Sequence, residues 1–392
     1  MSIYHFHRTL FIRLPLIVGM AGFLLSCMLS AAIDADYNAT LQPRHEPSSE
    51  VRALHDSLFI ADLHSDALLW HRNPLDRHER GHVDLPRMLE GNLALQVFTI
   101  VTKAPFGMNE DRTVDRDDDM ITILSMAQGQ PLKTWGSLAQ RTLHQAERLH
   151  RLEADSEGRF RVLRTADDLR AYIKERETDR NVAAGILGIE GAHALDGEGA
   201  NIDRFFEAGV RMIAPTHFFD NEWAGSAHGA DKGGLTDRGR ALIVRMEQLG
   251  ILLDLAHISP RAMDEALAFS ARPVVISHTG VRGTCDNNRN LSDEQLRGIA
   301  ATGGVIGIGF WPLAVCGEEL SDIVRAIRHT ADVVGVEHVG LGSDWDGMVA
   351  TPIDAAGLPM LTEALLHDGF SEAEIGQIMG GNVVRLLLET LP

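Results

Sequence analysis

Short apolar runs recur along the chain, each rich in Val, Ile and Leu and each closing on polar or small residues. Eight of them can be bounded: Phe59–His64, Leu93–Val101, Ala183–Glu190, Val210–His217, Ile251–His257, Pro273–His278, Val305–Phe310 and Val339–Asp344. Their length and β-branched content predict buried strands. The stretches between them carry helix signals. Ser259-Pro260 supplies an N-cap and a first-turn proline for a helix reaching Ala271. Ser292 and Gln295 have capping-box spacing for a helix ending at Thr302, before Gly303-Gly304, and Ser371 and Glu374 repeat it for a closing helix to Leu388. Strands alternating with helices predict a parallel sheet, and eight such units fit a closed (β/α)8 TIM-type barrel, an open doubly wound sheet being the rival. A charged, mostly helical insert from about Lys103 to Arg180 follows the second strand, a place where barrels build substrate pockets. No linker rich in Pro, Gly or Ser divides residues 33–392, which read as a single domain.

The first 32 residues have a different character. Arg8 and Arg13 precede an apolar run from Leu14 to Ser26, followed by small residues and then Asp34 and Asp36. This is the layout of a cleavable export signal, and the run is shorter than the roughly 20 residues of a comfortable membrane span. Cleavage after Ala32 is one reading; a lipoprotein signal ending before Cys27, with Cys27 lipidated, is another, and an uncleaved N-terminal anchor a third. Each places the protein outside the cytoplasm, in the periplasm or at the cell envelope, with membrane contact only through the N-terminus. Once Cys27 is removed or lipidated, Cys285 and Cys316 are the remaining thiols, an even pair that suits a disulfide in an oxidising compartment or two small core residues.

Composition narrows the classes further. At 45% hydrophobic and 23% charged the chain is an ordinary globular one, and three Cys exclude a disulfide-dense scaffold. Lys and Arg number 36 against 55 Asp and Glu, a net charge of −19 that repels nucleic-acid backbones. Removing residues 1–32, which hold Arg8, Arg13 and no acid, takes the charge to −21. Eighteen His are many for this length, and imidazole is the commonest metal ligand.

The candidate chemistry lies where the strands end. The first run closes on His64-Ser65-Asp66, whose i and i+2 side chains point to one side of a strand. Glu190 stands between two glycines at the end of an apolar strand, where a buried carboxylate needs a cation or donors. Consecutive strands then finish in His257 and His278. Three imidazoles and two carboxylates exceed one tetrahedral zinc shell, so the expectation is two zinc ions with a carboxylate bridging them. His217 and Asp344 end two further strands and are expected to be catalytic, and Arg289 offers a bidentate fork for a substrate carboxylate. Arg289 follows His278 by eleven residues and is expected on the pocket wall, clear of the metals. His193 reads as a supporting or structural residue, and His71, His78, His82 and His228 as loop residues. No nucleophile elbow, phosphate loop or dinucleotide fingerprint is present in the sequence.

In order, His64-x-Asp66, Gly188-Ile-Glu190-Gly, Thr216-His217, Asp254-Leu-Ala-His257, Ser277-His278 with Arg289-Asn290, and Gly342-Ser-Asp344-Trp-Asp-Gly347 resemble the membrane (renal) dipeptidase family of zinc peptidases, over roughly residues 55–390. Gly380-Gly381-Asn382 fits as well. The resemblance implies His64 and Asp66 on one zinc, His257 and His278 on the other, and Glu190 bridging. It implies that Asp344 handles the proton of the attacking water, that His217 contacts the scissile group and binds substrate, and that Arg289 binds the free carboxylate. It also implies a Cys285–Cys316 disulfide. The chain departs from the family at the loop after the seventh strand, which reads Phe310-Trp311-Pro312 where relatives carry a tyrosine; its three Tyr are Tyr4, Tyr37 and Tyr172. Phe219 stands near a position where vertebrate members have a further cysteine, and Leu386–Pro392 is too short for a C-terminal lipid-anchor signal.

The function expected is therefore a zinc-dependent dipeptidase acting on small dipeptides, including those with a C-terminal D-residue. Its rivals are another metal-dependent barrel amidohydrolase, acting on lactam, lactone or N-acyl substrates, and a non-catalytic metal- or solute-binding lipoprotein. The oligomeric state is open, a homodimer included.

Overall fold

A computed structural model describes residues 26–107, 109–114 and 119–392. Nine parallel strands form its sheet: β1 (Ile60–Ser65), β2 (Leu93–Val101), β3 (Phe160–Val162), β4 (Ala183–Glu190), β5 (Val210–Ile213), β6 (Leu252–Leu253), β7 (Val275–Thr279), β8 (Val305–Ile308) and β9 (Val339–Leu341). The pairing order is β6-β5-β4-β2-β1-β9-β8-β7. A bridge between Asp254 and Val275 joins β6 to β7 and closes the ring. Eight strands thus make the expected (β/α)8 barrel, and all eight correspond to the eight apolar runs.

The ninth strand was not anticipated. β3 pairs with Ala183–Gly185 at the upstream end of β4, while β5 pairs with Leu187–Ile189 further along. It sits inside the insert, between the helices Leu138–Asp155 and Ala166–Arg176. Three residues flanked by helical sequence leave no alternation from which to read a strand.

Several strands also stop short of their apolar runs, each for a local reason. β5 ends before Pro215, which has no amide hydrogen to give a ladder. β6 keeps only two residues because Asp254 turns its carboxylate onto the amides of Ser277 (2.9 Å) and Ala256 (3.0 Å). β9 ends before Ser343, whose amide and hydroxyl go to the Asp62 carboxylate at 2.8 and 2.9 Å. The closing helix expected from Ser371 to Leu388 is broken: Glu372–Gly376 passes through a widened turn, Gln377–Gly381, into Asn382–Thr390. At Gly380 a Cβ would lie 2.1 Å from the Phe59 carbonyl, so this turn packs directly on the start of β1.

Two apolar layers hold the barrel. Its interior joins Leu63, Leu95, Val97, Ile186, Met212 and Val305 to Tyr172, Leu386 and Leu387 of the helices Ala166–Arg176 and Asn382–Thr390. A larger outer layer packs the other strand face, including Phe98, Leu187, Ile276 and Leu341, against the surrounding helices. The helix caps read from sequence are present, with Ser259 accepting from Ala262 and a full capping box at Ser292/Gln295.

The expected signal falls largely on residues 1–25, outside the described residues; from 26 to 37 the chain is helical across Ala32. After that helix, Leu41 donates to the Thr351 carbonyl at 2.8 Å and Thr351 to that of Ala39 at 3.0 Å. No helix among the described residues is long and apolar enough to cross a membrane.

Candidate metal centre and active site

Strict alternation along β1 and β7 would not build the site. Leu63 belongs to the interior layer, yet the next residue, His64, also reaches the barrel mouth. Ile276 belongs to the outer layer, yet His278 turns inward. Register shifts between Asp62 and Ser65 in β1, and between Ile276 and Thr279 in β7, re-aim these histidines, as bulges beside active sites do. His64 and Asp66 therefore meet with Nε2 and Oδ1 3.5 Å apart through irregular backbone rather than through the i, i+2 rule.

Glu190 is the centre of the constellation. Its Oε1 lies 2.9 Å from His257 Nε2, 3.4 Å from His278 Nε2 and 3.6 Å from His64 Nε2. Oε2 faces His217 Nε2 at 3.3 Å. Asp344 Oδ1 approaches His64 Nε2 to 3.8 Å. Three overlapping sets bring ligand atoms within 4.8 Å of one another: His64, Asp66 and Glu190; Glu190, His217 and His257; and His64, His278 and Asp344. His217, read as a substrate contact, thus also stands within ligand range. All the residues singled out at strand ends converge here, and Arg289 joins them.

The electrostatics fit cation binding. Burial holds the His217, His257 and His278 imidazoles well below their usual pKa, leaving the neutral form that ligates. Burial, then the Asp66 charge, lifts the Glu190 carboxyl well above its usual value, because three carboxylates crowd one dry pocket. Burial opposes charging His64 too, but Glu190, Asp66 and Asp344 together raise it to about 10. His64 Nε2 is buried without a hydrogen-bond partner. Four imidazole nitrogens packed around acceptor oxygens, one of them orphaned, make a donor set that a divalent ion would satisfy.

Further side chains hold these candidate ligands in place. Thr99 Oγ1 donates to Asp66 at 2.6 Å, and Ser277 Oγ lies 3.0 Å from His64 Nδ1 and 2.9 Å from His278 Nδ1. Asp62 and Asp254, both buried, spend their carboxylates on backbone amides at the strand ends and so lock β1 to β9 and β6 to β7. His257 and Asp344 adopt left-handed backbone, φ 61° each, at a cost of about 1–3 kcal/mol apiece that surrounding contacts must offset. Gly191, φ 93°, takes the turn after Glu190; a Cβ there would sit 2.3 Å from the His193 ring.

His228 is a loop residue as expected, but it is fully buried with Nε2 2.9 Å from His257 Nδ1. Its other nitrogen meets the Glu110 carbonyl at 2.9 Å. Burial and the Arg289 charge push its pKa down to about 3, so it stays neutral and orients His257. His82 is likewise buried, accepting from the Asp346 amide at 3.1 Å. No periodic pattern marks either residue.

The centre opens into a cleft of about 220 Å3 whose wall includes Val101, Ile121, Phe218, Arg289, Trp311 and Met348. Trp311, in the loop after β8, sets its ring 5.6 Å from that of His278. Arg289 lines this wall but lies closer to the ligands than its spacing suggested: Nη2 donates to the His278 carbonyl at 2.7 Å and is 3.4 Å from His257 Nε2. Among the described residues no carboxylate forms an ion pair with this buried guanidinium. Its loop is pinned by the Cys285–Cys316 disulfide, Cα–Cα 5.3 Å, and by Asn290, which donates to the Cys285 and Ala314 carbonyls at 2.7 and 2.8 Å.

Comparison with known proteins decides the family. Residues 48–391 match the profile of membrane dipeptidases, peptidase family M19. The chain belongs to the membrane dipeptidase family. It is 34% identical over 254 residues to an uncharacterized protein in the pqqA 5'region of Klebsiella pneumoniae, covering 61% of this chain and 92% of that one. It is 27% identical over 387 residues to the dipeptidase aclJ of Aspergillus oryzae, covering 90% and 85%. A metallo peptidase from Rhodobacter sphaeroides, liganded with a phosphinate mimic of the dipeptide L-Ala-D-Ala, superposes with a TM-score of 0.67 at 26% identity, over 85% of this chain and 99% of that one. This M19 enzyme is thus a metal-dependent dipeptidase with a barrel fold, as the motif order implied.

Proposed function

We propose that the enzyme works with two zinc ions, one held by His64 and Asp66 and the other by His257 and His278, with Glu190 shared between them. The observation that carries this reading is the convergence of three imidazole Nε2 atoms on Glu190 Oε1, within 2.9 to 3.6 Å, beside a buried Arg289 that has no carboxylate partner among the described residues. Zinc at such a site would lower the pKa of a water toward neutrality and polarise the amide carbonyl.

The chain's own groups do the rest. Burial and Asp66, against the pull of His64, push the Asp344 carboxyl of the metal-free site up to about 8. Bound cations would lower it and leave a carboxylate that takes a proton from the attacking water and returns it to the leaving amine. His217 faces Glu190 Oε2, whereas the other three imidazoles face Oε1, which supports a role at the scissile carbonyl. Arg289 receives the substrate's free carboxylate as a bidentate fork. The R. sphaeroides neighbour's L-Ala-D-Ala mimic supports dipeptides with a C-terminal D-residue as substrates of this enzyme. The leader pattern before Asp34 supports export to the periplasm or envelope, with Cys27 as the lipidation site if the signal ends there.

The test is elemental analysis with an activity panel. Wild type should carry two zinc equivalents and cleave L-L and L-D dipeptides, and Glu190→Gln should lose at least one equivalent and the activity. Activity indifferent to strong chelators in a metal-free preparation would overturn the reading.

A further inference from the structure

The loop that carries Asp344 is unusually strained. Asp344, Asp346 and Met348 all take left-handed backbone, φ 61°, 67° and 61°, and none is glycine. Such a loop persists only where its surroundings over-determine it. The contacts that do so come largely from one residue, Asp346. Its carboxylate accepts from the His82 amide at 2.8 Å and the Val83 amide at 3.2 Å, and its carbonyl from Trp70 Nε1 at 2.7 Å.

The same carboxylate is paired with Arg72, Nη2 to Oδ1 2.7 Å, and Arg72 is in turn paired with Asp34, Nε to Oδ2 3.1 Å. All three side chains are buried. Asp34 lies in the N-terminal helix, residues 26–37, and takes a second cation from Arg80 at 2.9 Å. Asn38, four residues on, donates to Asp34 at 2.9 Å and accepts from the Met348 amide at 2.9 Å. Residues 34 and 38 therefore grip the strained loop at two points, Asp346 through Arg72 and Met348 directly. The loop also serves the metal side, since the Trp345 carbonyl accepts from the Asp66 amide at 2.8 Å.

We infer that Asp34 is a positioning residue for Asp344: the buried chain Asp34–Arg72–Asp346 holds the catalytic loop in its left-handed conformation, so the segment just after the leader completes the active site. The inference rests on the role given to Asp344 above. Removing the Asp34 carboxylate leaves Arg72 with a single partner, free to drag Asp346, and a displacement of about 1 Å at a reacting group can cost up to about a hundredfold in rate.

The experiment compares Asp34→Asn, Asp34→Glu, Asn38→Ala, Asp344→Asn and the Asp34→Asn/Asp344→Asn double variant in the full chain, reading kcat, KM, bound metal and melting temperature. Asp34→Asn is expected to lower kcat by about ten- to a hundredfold with KM and metal content near wild type. Asp34→Glu should recover part of the loss, Asn38→Ala should show a smaller loss in kcat, and Asp34→Asn should cost little further once Asp344 is already Asn. A wild-type kcat in Asp34→Asn and Asn38→Ala, with only the melting temperature lowered, would overturn this inference while leaving the role of Asp344 intact. A wild-type kcat in Asp344→Asn would overturn that role, and the inference with it. Asn38→Ala keeps every charge in place, so it decides the matter if Asp34→Asn fails to fold.

Discussion

Truncating Arg289 to Ala separates a dipeptidase from a broader amidase. The guanidinium is buried, has no carboxylate pair among the described residues, and keeps one donor on the His278 carbonyl at 2.7 Å. Its remaining N–H groups are available to a ligand, and a carboxylate taken bidentately fixes the distance from the substrate's C-terminus to the scissile amide. A hydrogen bond to a charged group contributes about 1.5–3 kcal/mol. A loss of about 2 kcal/mol corresponds to about a 30-fold fall in kcat/KM. Arg289→Ala should therefore cut dipeptides at least about 30-fold less efficiently. Arg289→Lys should recover only part of this, because it restores charge without the fork. The control is the substrate: C-terminally amidated dipeptides should be poor for wild type and lose little more in the variant. Bound metal must be measured alongside, since Nη2 also lies 3.4 Å from His257 Nε2. Equal cleavage of amidated and free-acid dipeptides by wild type would refute the anchor.

Three further outcomes follow from the geometry. His228→Ala should weaken metal binding by about 10–100-fold by freeing the His257 ring, read by competition with a chelator; unchanged affinity would show that His257 is held elsewhere. Gly342→Ala would put a Cβ 2.0 Å from the Ser277 carbonyl, so the variant should lose thermal stability and metal together, and a wild-type melting curve would contradict the close packing. Unreduced denatured enzyme should show no free thiol from Cys285 or Cys316, and their replacement by Ser should cost about 3–4 kcal/mol on the chain-entropy estimate for a separation of 31 residues.

The candidate ligands at the strand ends were legible because they break a rule. A polar residue closing a run of Val, Ile and Leu conflicts with burial unless something pairs with it, and Glu190, His257 and His278 each do this. The barrel was legible for the same reason: its strands are buried on both faces and read as unbroken apolar runs. What could not be read is whatever depends on irregular backbone. The bulges that turn His64 and His278 inward leave no periodic trace, and neither do His228 and Asp34, which lie outside the strands. Arg289 lines the cleft wall as its separation along the chain suggests, but the disulfide-pinned loop folds back and brings it closer to His257 than that separation implies.

The seam between β6 and β7 has a consequence of its own. It is the thinnest join in the barrel, one backbone bridge at Asp254 and Val275 reinforced by the Asp254 carboxylate on Ser277. His257 and His278 stand on its two sides. An ion held by both, as proposed, would span the join, and metal occupancy and ring closure would then be thermodynamically linked. Free metal at about a hundredfold over its dissociation constant would add about 2.7 kcal/mol to the closed form. Starved of metal, the barrel would breathe first at this edge, with early amide exchange and proteolytic nicking around residues 252–258. The lifetime of the folded enzyme would then follow the free-metal concentration of its compartment.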